Sequence, residues 1–249
     1  MPPPASSGFF AHMADTFYAG AYWPPRHETL QECAQRAETF FRLLSSCDPV
    51  FARWCEKASS RKKALQLQFE PTFDTFLRLF AKKKYQCLDG FLFGAWTGHE
   101  ESARNGSVTL LCGSGKASSN NCLVRFPSQE PEARRVLTEP VLRQVLHAQV
   151  VAWAPSWCGA VSNNYLAMKK QPIGAPYTSW LLYVSHSRGE VPPLPAPVRT
   201  EPLEDRGTLI TLTPDRFDTT NPSHVALAED VRERLARAGL LGSILPPAS

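Results

Sequence analysis

The sequence predicts an α+β fold in which a mixed or antiparallel sheet packs against several helices. Hydrophobic residues make up 43% of the 249-residue chain, which is enough to bury a core without metal ions or disulfides. Helical and strand patterns are partly segregated along the chain rather than strictly alternating, which favours α+β over a doubly wound sheet. We predict a single domain over residues 1–249, with a disordered tail over 1–14 and a Pro-rich loop over 189–199.

A strand and three helices are predicted in the N-terminal third. The strand is rich in aromatic residues and must end at Pro24-Pro25, because proline cannot continue a hydrogen-bonded ladder. Helices are predicted where apolar residues recur at three- and four-residue steps. One of them has a capping Asp48 followed by Pro49. The predicted elements are a strand over Thr16–Trp23 and helices over Glu28–Ser46, from Asp48 through Cys55, and over Pro71–Lys84, the last with Phe73, Phe76, Leu77 and Phe80 facing inward.

The rest of the chain is predicted to contain short strands and two helices. Gly, Ser and Asn separate the short apolar runs, as in the turn Gly113–Lys116. The last helix is the best defined, because Asn221 caps it, Pro222 opens it and Gly239 ends it. The remaining predicted elements are strands over Phe91–Thr97, Ser107–Cys112, Cys122–Phe126, Ser179–Val184 and Thr208–Thr213, and a helix from Glu139 into the 150s.

Cysteine usage and the N-terminus indicate a cytoplasmic protein. The seven cysteines are odd in number and none is spaced as C-x-x-C, unlike the even sets of exported, disulfide-stapled scaffolds. The first residues lack the basic and apolar regions of a signal peptide. No run of eighteen apolar residues occurs, so no membrane span and no membrane partner are expected.

The sequence departs from each of the catalytic motifs that it partly resembles, and each departure lies at a specific residue. The Gly113–Lys116 run is not a phosphate-binding P-loop, because Leu110 and Ala117 stand where Gly and Ser or Thr are required. His99 and Glu101 satisfy the H-x-E half of a zinc-deaminase signature, but P-C-x-x-C is absent. No lysine has an acid two residues before it, which excludes the usual restriction-type nuclease pattern. The sequence therefore predicts no catalytic residues, no metal site and no cofactor.

Charge is unevenly distributed although the net charge is only +4. Nine basic and three acidic residues lie over Arg53–Lys84, whereas seven acidic and two basic residues lie over Glu201–Asp230. Such segregation indicates either interaction faces or ordinary solvated surfaces.

Several segments together resemble one protein family. The chain resembles the immunity protein 52 family of bacterial polymorphic-toxin systems in the order and spacing of these segments, which span most of its length. They are A-Y-W-P-P-R-H-E-T-L-Q-E-C-A over residues 21–34, D-P-V-F-A-R-W over 48–54, Ser179-Trp180, Asp205-Arg206-Gly207-Thr208 and Asn221-Pro222-Ser223-His224.

The resemblance implies a protein that binds and neutralises a cognate toxin. Genes of this family often lie near type VI secretion effectors, and the implied toxin class is a nuclease of restriction-endonuclease-like fold. The oligomeric state is left open. The residues that match the family and that we interpret as structural are Tyr22, Trp23, Arg26, Glu28, Cys33, Trp54 and Trp180.

The acidic segment supplies the candidate toxin-binding residues. A nuclease active site is lined with cations that hold phosphate, so an inhibitor can occupy it with carboxylates, and complementary charge speeds encounter. The candidates are Glu201, Glu204, Asp205, Asp215 and Asp218.

Two alternatives remain open at this stage. One is an enzyme whose site is assembled from dispersed residues around Cys158 or His186. The other is a nucleic-acid-binding accessory protein that uses the basic Arg61–Lys84 region with Phe76, Phe80 and Tyr85. The helical spacing of Phe76 and Phe80 favours the core over base stacking, so no direct nucleic-acid contact is expected.

Overall fold

The computed structural model describes residues 15–169 and 175–245, so the predicted tail over 1–14 lies outside the described residues. The strands that it describes form one antiparallel sheet, in the order β10-β11-β9-β8-β1-β7-β6-β5-β2-β3, with β4 beside β5. This confirms the α+β fold with an antiparallel sheet. The strands are β1 Phe17–Trp23, β2 Trp54–Glu56, β3 Gln68–Phe69, β4 Gln86–Cys87, β5 Gly90–Trp96, β6 Ser107–Cys112, β7 Asn120–Arg125, β8 Trp157–Ser162, β9 Leu181–Ser185, β10 Arg199–Leu203 and β11 Gly207–Thr211.

Three helices cover one face of the sheet, which we call the inner face. The described helices are α1 Leu30–Ser45, α2 Arg61–Leu65, α3 Phe73–Phe80, α4 Glu132–Val136, α5 Glu139–Trp153, α6 Asn163–Met168 and α7 Pro222–Arg237. Helix α1 packs against α3 and α5, and α5 packs against β1, β8 and β9. Trp153 of α5 stacks on Trp23 of β1 with ring centroids 5.5 Å apart. Phe76 of α3 meets Phe93 of β5 at 6.0 Å.

Local sequence signals fix the ends of the long helices. Thr29 and Glu32 form a capping box at the start of α1, in which each side chain accepts a hydrogen bond from the other residue's backbone. Asn221 accepts from the backbone N–H of Ser223 and caps α7, as its sequence predicts. Gly239 takes a φ of 76° just after α7, a backbone conformation that glycine adopts without strain.

The predicted helix from Asp48 through Cys55 is wrong. Asp48 does accept a hydrogen bond from the N–H of Val50, but the helical turn covers only Pro49–Phe51. Trp54 then enters β2 and lies opposite Phe69 of β3. All three residues of β2 are buried, because this short strand is packed on both sides, and that burial outweighs the helical cap.

The predicted helix over Pro71–Lys84 is shorter than expected. Helix α3 ends at Phe80, and a separate 3-10 turn follows over Lys83–Tyr85. This turn is fixed by Glu56, whose carboxylate accepts hydrogen bonds from Lys82, Lys84 and the Tyr85 hydroxyl. Phe76 and Phe80 are fully buried, whereas Phe73 and Leu77 are half-buried at the edge of the core.

Candidate interaction surface

Strands β5, β6 and β7 present a second set of side chains on the face opposite the helices, which we call the outer face. Residues directly opposite one another in an antiparallel pair point to the same side. The pairs Leu92↔Leu111, Gly94↔Thr109 and Trp96↔Ser107 join β5 to β6. The pairs Leu111↔Asn121, Thr109↔Leu123 and Ser107↔Arg125 continue the same rows onto β7. We call these residues the open face: Leu92, Gly94, Trp96, Ser107, Thr109, Leu111, Asn121, Leu123 and Arg125.

The open face is accessible to solvent along its whole length. Leu92 is 44% exposed, Arg125 is exposed, and the other members are half-buried. On β8 and β9, by contrast, the residues on the same side of the sheet are buried. A solvated sheet face usually carries polar side chains, but leucines and a tryptophan occupy much of this one. Such an exposed apolar surface is typical of an interaction site.

Aromatic side chains border the open face on β1. The rings of Tyr18 and Tyr22 fold over Gly20, where a Cβ atom would lie within 3 Å of both rings. Tyr22 also stacks on Trp157 of β8, with ring centroids 4.4 Å apart. Burial raises the pKa of the Tyr22 hydroxyl, so it stays protonated at neutral pH. Tyr22, which matches the family pattern, therefore lies on the outer face at the edge of the open face.

A cleft of about 460 Å³ lies at one end of the open face. It is formed by Trp96, Ser107 and Arg125 of the face, by the residues before and at the start of α2, and by the loop that leads into β6. Three of its lining residues are the cations Lys57, Arg61 and Arg125, and none of the lining residues is acidic. We call it the cationic cleft.

The cations of this cleft have no counter-ion among the described residues. No ion pair involves Lys57, Arg61 or Arg125 in the part of the chain that the structure describes. The stem of Lys57 lies over Gly94, where an added Cβ would be 3.0 Å from Lys57 Cδ. Desolvation lowers the pKa of Lys57, and the nearby positive charge of Arg125 lowers it further. The cleft therefore concentrates positive charge that would be stabilised by an anion.

One wall of the cleft is a tightly held loop. Asn105 lines the cleft, and its side-chain amide donates to the carbonyls of His99 and Glu101. Its neighbour Arg104 donates two hydrogen bonds of 2.6 Å to Glu132 of α4. The Arg104 guanidinium lowers the pKa of the Glu132 carboxyl to about 2. This charge-assisted pair fixes the loop, so the wall is formed before any partner arrives.

The five acidic candidates do not form one cluster. Glu201 lies on edge strand β10 and forms an ion pair with Arg143, and Glu204 lies 2.7 Å from His147. Glu204 and Asp205 form the turn that leads into β11, whereas Asp215 and Asp218 follow its other end. A five-residue strand is about 17 Å long, so the structure brings together the first three acids and keeps the other two apart.

Most of the residues that match the family pattern lie in the core or hold it together. Cys33, Trp23, Trp54 and Trp180 are at most 1% exposed. The Trp180 indole donates to the carbonyl of Thr213 at 3.0 Å.

Arg26 and Glu28 have a structural role of their own. Glu28 is buried, and its carboxylate contacts both Arg26 and Arg36, at 3.2 and 2.6 Å. Arg26 then donates to the carbonyl of Trp153, and Arg36 to that of Ala152. The two arginines thus join α1 and the segment just before it to the C-terminus of α5.

The residues invoked by the two alternatives do not form an accessible site. Cys158 is fully buried, and burial raises the pKa of its thiol well above the usual value, so it is not a ready nucleophile. Phe76, Phe80 and Tyr85 are buried and cannot stack on bases. His186 is exposed on a 3-10 turn. Among the described residues, no group of His, Cys, Asp or Glu has the arrangement of a metal site.

The open face is not predicted by the sequence, because the pattern of its strands indicates burial on both sides. The strands β5 to β7 carry apolar residues at both odd and even positions, as in the run Ser107–Cys112. A strand of that kind predicts burial on both faces. Which strands adjoin, and which side the helices cover, depend on the tertiary fold, so the exposed half of the pattern was not recognisable.

A known protein resembles this chain in fold, and one family model matches its sequence. A search of curated proteins gives no match. The fold is similar to that of the Pseudomonas aeruginosa T6SS protein PA0821, with a TM-score of 0.52 and 10% sequence identity over 91% of this chain and 76% of that chain. None of the described helices is long and apolar enough to span a membrane. The model of one family, immunity protein 52, matches residues 15–244. This chain therefore belongs to the immunity protein 52 family.

Proposed function

We propose that this protein is an immunity protein that binds one cognate toxin and neutralises it without catalysis. The observation that carries the proposal is the family match over residues 15–244, which spans nearly all of the described chain. The fold similarity to a type VI secretion system protein supports the same context.

Both the buried thiols and the surface cleft favour binding over turnover. Six of the seven cysteines are buried free thiols, and the cleft that adjoins the open face contains cations and hydroxyls but no carboxylate to act as general base. An exposed apolar sheet face next to a preformed charged cleft suits the recognition of a protein surface.

We further propose that the toxin is a nuclease of restriction-endonuclease-like fold and that neutralisation takes place in the cytoplasm, where such a toxin acts. The acidic residues Glu201, Glu204, Asp205, Asp215 and Asp218 remain candidates for contact with its cationic active site. Because Glu201 and Glu204 already have basic partners within the chain, their use would require those ion pairs to open.

The test is co-purification with the toxin encoded beside this chain, followed by titration of toxin activity. We expect a stable complex and a linear loss of activity that ends at a fixed stoichiometric ratio. Loss of activity at far less than stoichiometric amounts would instead indicate an enzyme that modifies the toxin. A folded chain that forms no complex with an active toxin would contradict the proposed pairing.

A further inference from the structure

We infer that the open face and its cationic cleft form the toxin-docking surface, and that the cleft receives an acidic segment of the cognate toxin. This inference rests on the proposed function and deepens it by naming the surface and the chemistry of what binds there. It also differs from the use of the acidic segment Glu201–Asp218, because the polarity is reversed: here the immunity protein supplies the cations.

The apolar part of the open face supplies contact area. Leu92, Leu111 and Leu123 lie in neighbouring positions across three strands, and none is buried by a described part of the chain. Burial of such apolar surface is the main favourable term in most protein association. A rigid sheet presents these side chains without the ordering cost that a loop would carry.

The cationic cleft supplies specificity. Lys57, Arg61 and Arg125 converge on one cavity without a carboxylate. Trp96 lines the same cavity, and its indole N–H is shielded from solvent without an acceptor among the described residues. A carboxylate that enters would pair with these cations beside the Trp96 ring, and the pairing strengthens as water is displaced.

A protein segment fits this surface better than nucleic acid does. A nucleic-acid-binding protein carries an extended track of cations along the backbone path. Here the basic region is interrupted, because Glu56 neutralises Lys82 and Lys84 at 2.9 Å each. Leu123 and Leu111 extend the surface away from the cleft, and an exposed aliphatic patch of this kind is typical of a protein-protein contact.

The first test reverses the charge of the cleft. The variant K57E/R61E/R125E is compared with K62E/K63E/K83E, which makes the same change in net charge at exposed lysines of the same basic region that do not line the cleft. Affinity for the purified cognate toxin is measured by calorimetry. We expect the cleft variant to lose at least about 100-fold in affinity and the control less than about threefold. Equal losses in the two variants would overturn the inference.

The second test addresses the apolar part of the open face. L123K places a charge in the middle of the open face, and L88K places one at Leu88, which is 69% exposed in the turn between β4 and β5. We expect at least about a tenfold loss of affinity for L123K and none for L88K.

The milder variant K57Q/R125Q tests the cleft if K57E/R61E/R125E does not fold. We expect it to lose at least about tenfold in affinity for the toxin.

The outcomes separate this inference from the proposed function. A wild-type chain that binds no toxin overturns both. Tight wild-type binding that survives K57E/R61E/R125E and L123K overturns the docking surface alone. Binding of a labelled DNA duplex that is lost in the triple variant, while toxin affinity is kept, would assign the cleft to nucleic acid instead.

Discussion

Arg36 of α1 donates a hydrogen bond of 2.8 Å from Nη1 to the carbonyl oxygen of Ala152, 116 residues further along the chain. The last four carbonyls of a helix have no partner within it, and in α5 arginines from three different segments satisfy them. Their positive charge also suits the negative end of the helix dipole. The donors and acceptors are Arg26 to Trp153, Arg36 to Ala152, and Arg206 to Val150 and Val151.

Replacing Arg36 by Met should therefore destabilise the fold. The change removes the bond to Ala152 and leaves buried Glu28 with one basic partner instead of two. We expect the free energy of unfolding to fall by about 1–3 kcal/mol in chemical denaturation. The control is R42M, an exposed arginine on the same helix. If the free energy of unfolding of R36M, like that of R42M, differed from wild type by less than about 0.5 kcal/mol, the contacts of Arg36 would not stabilise the fold.

Gly207 lies in the family-matching segment Asp205-Arg206-Gly207-Thr208, at a position where the neighbouring strand leaves no room for a side chain. A Cβ atom at this position would lie 2.2 Å from the carbonyl oxygen of Val184, which belongs to the neighbouring strand and cannot rotate away. Gly207→Ala should lower the free energy of unfolding by about 1–3 kcal/mol or more, because the strands must separate. Gly115→Ala, where the nearest atom is 3.4 Å away, should be close to neutral in the same denaturation experiment.

The sequence predicts an element correctly where a local signal determines it. Asn221 and Gly239 mark the ends of α7 because caps act within a few residues. The strand Ser107–Cys112 was bounded correctly, because Gly and Ser end the apolar run.

The sequence does not predict an element whose structure depends on contacts between distant residues. Trp54 carries a helical pattern but joins a strand, because β3 and β5 pair with β2. Strand β8 was missed altogether: Trp157–Ser162 is short, contains Gly159, and is stable because β1 and β9 lie on either side. The cationic cleft is not predictable from the sequence for the same reason, because Lys57, Trp96 and Arg125 come together only when the sheet forms.

The turn between β10 and β11 offers a test of the acidic candidates that does not weaken the fold. Glu204 and Asp205 take positive φ angles of 52° and 49°, and the N–H of Arg206 bonds the carbonyl of Leu203. This is a type I′ geometry, which strongly prefers Asn-Gly. The double change Glu204→Asn and Asp205→Gly should raise the free energy of unfolding by about 0.5–1 kcal/mol.

The same variant removes two of the candidate carboxylates from a correctly folded turn. If the acidic segment contacts the toxin, calorimetry should show weaker binding despite the higher stability. Unchanged affinity would argue against Glu204 and Asp205 as contacts and leave the open face as the stronger candidate.

The Arg104–Glu132 pair predicts an acid-dependent contribution to stability. The folded protein lowers the pKa of Glu132 from 4.5 to about 2, so the folded state binds its proton less readily than the unfolded chain. The stability due to the ionised carboxylate is then present above about pH 4.5 and is lost as the pH falls towards 2. Glu132→Gln should be less stable than wild type at neutral pH, and the difference should shrink to near zero at pH 2. A difference that is constant between pH 2 and pH 7 in denaturation curves would contradict this account.

Replacing Lys57 should raise the stability of the fold and lower its affinity for the toxin. Desolvation and the charge of Arg125 lower its pKa below the ordinary 10.5, which means that the folded chain alone disfavours the ammonium. Lys57→Met keeps the apolar stem over Gly94 and removes the charge. We expect the free energy of unfolding at pH 7 to rise only slightly, because water still screens this exposed side chain.

The gain in stability should shrink as the pH rises towards 10.5, because the wild-type ammonium then loses its proton and its cost. Affinity for the toxin should fall in the same variant, because the cleft then has one cation fewer to pair with a carboxylate of the toxin. Denaturation and calorimetry on one preparation measure both quantities. If Lys57→Met lowered stability and left toxin affinity unchanged, Lys57 would be a structural residue and not a docking one.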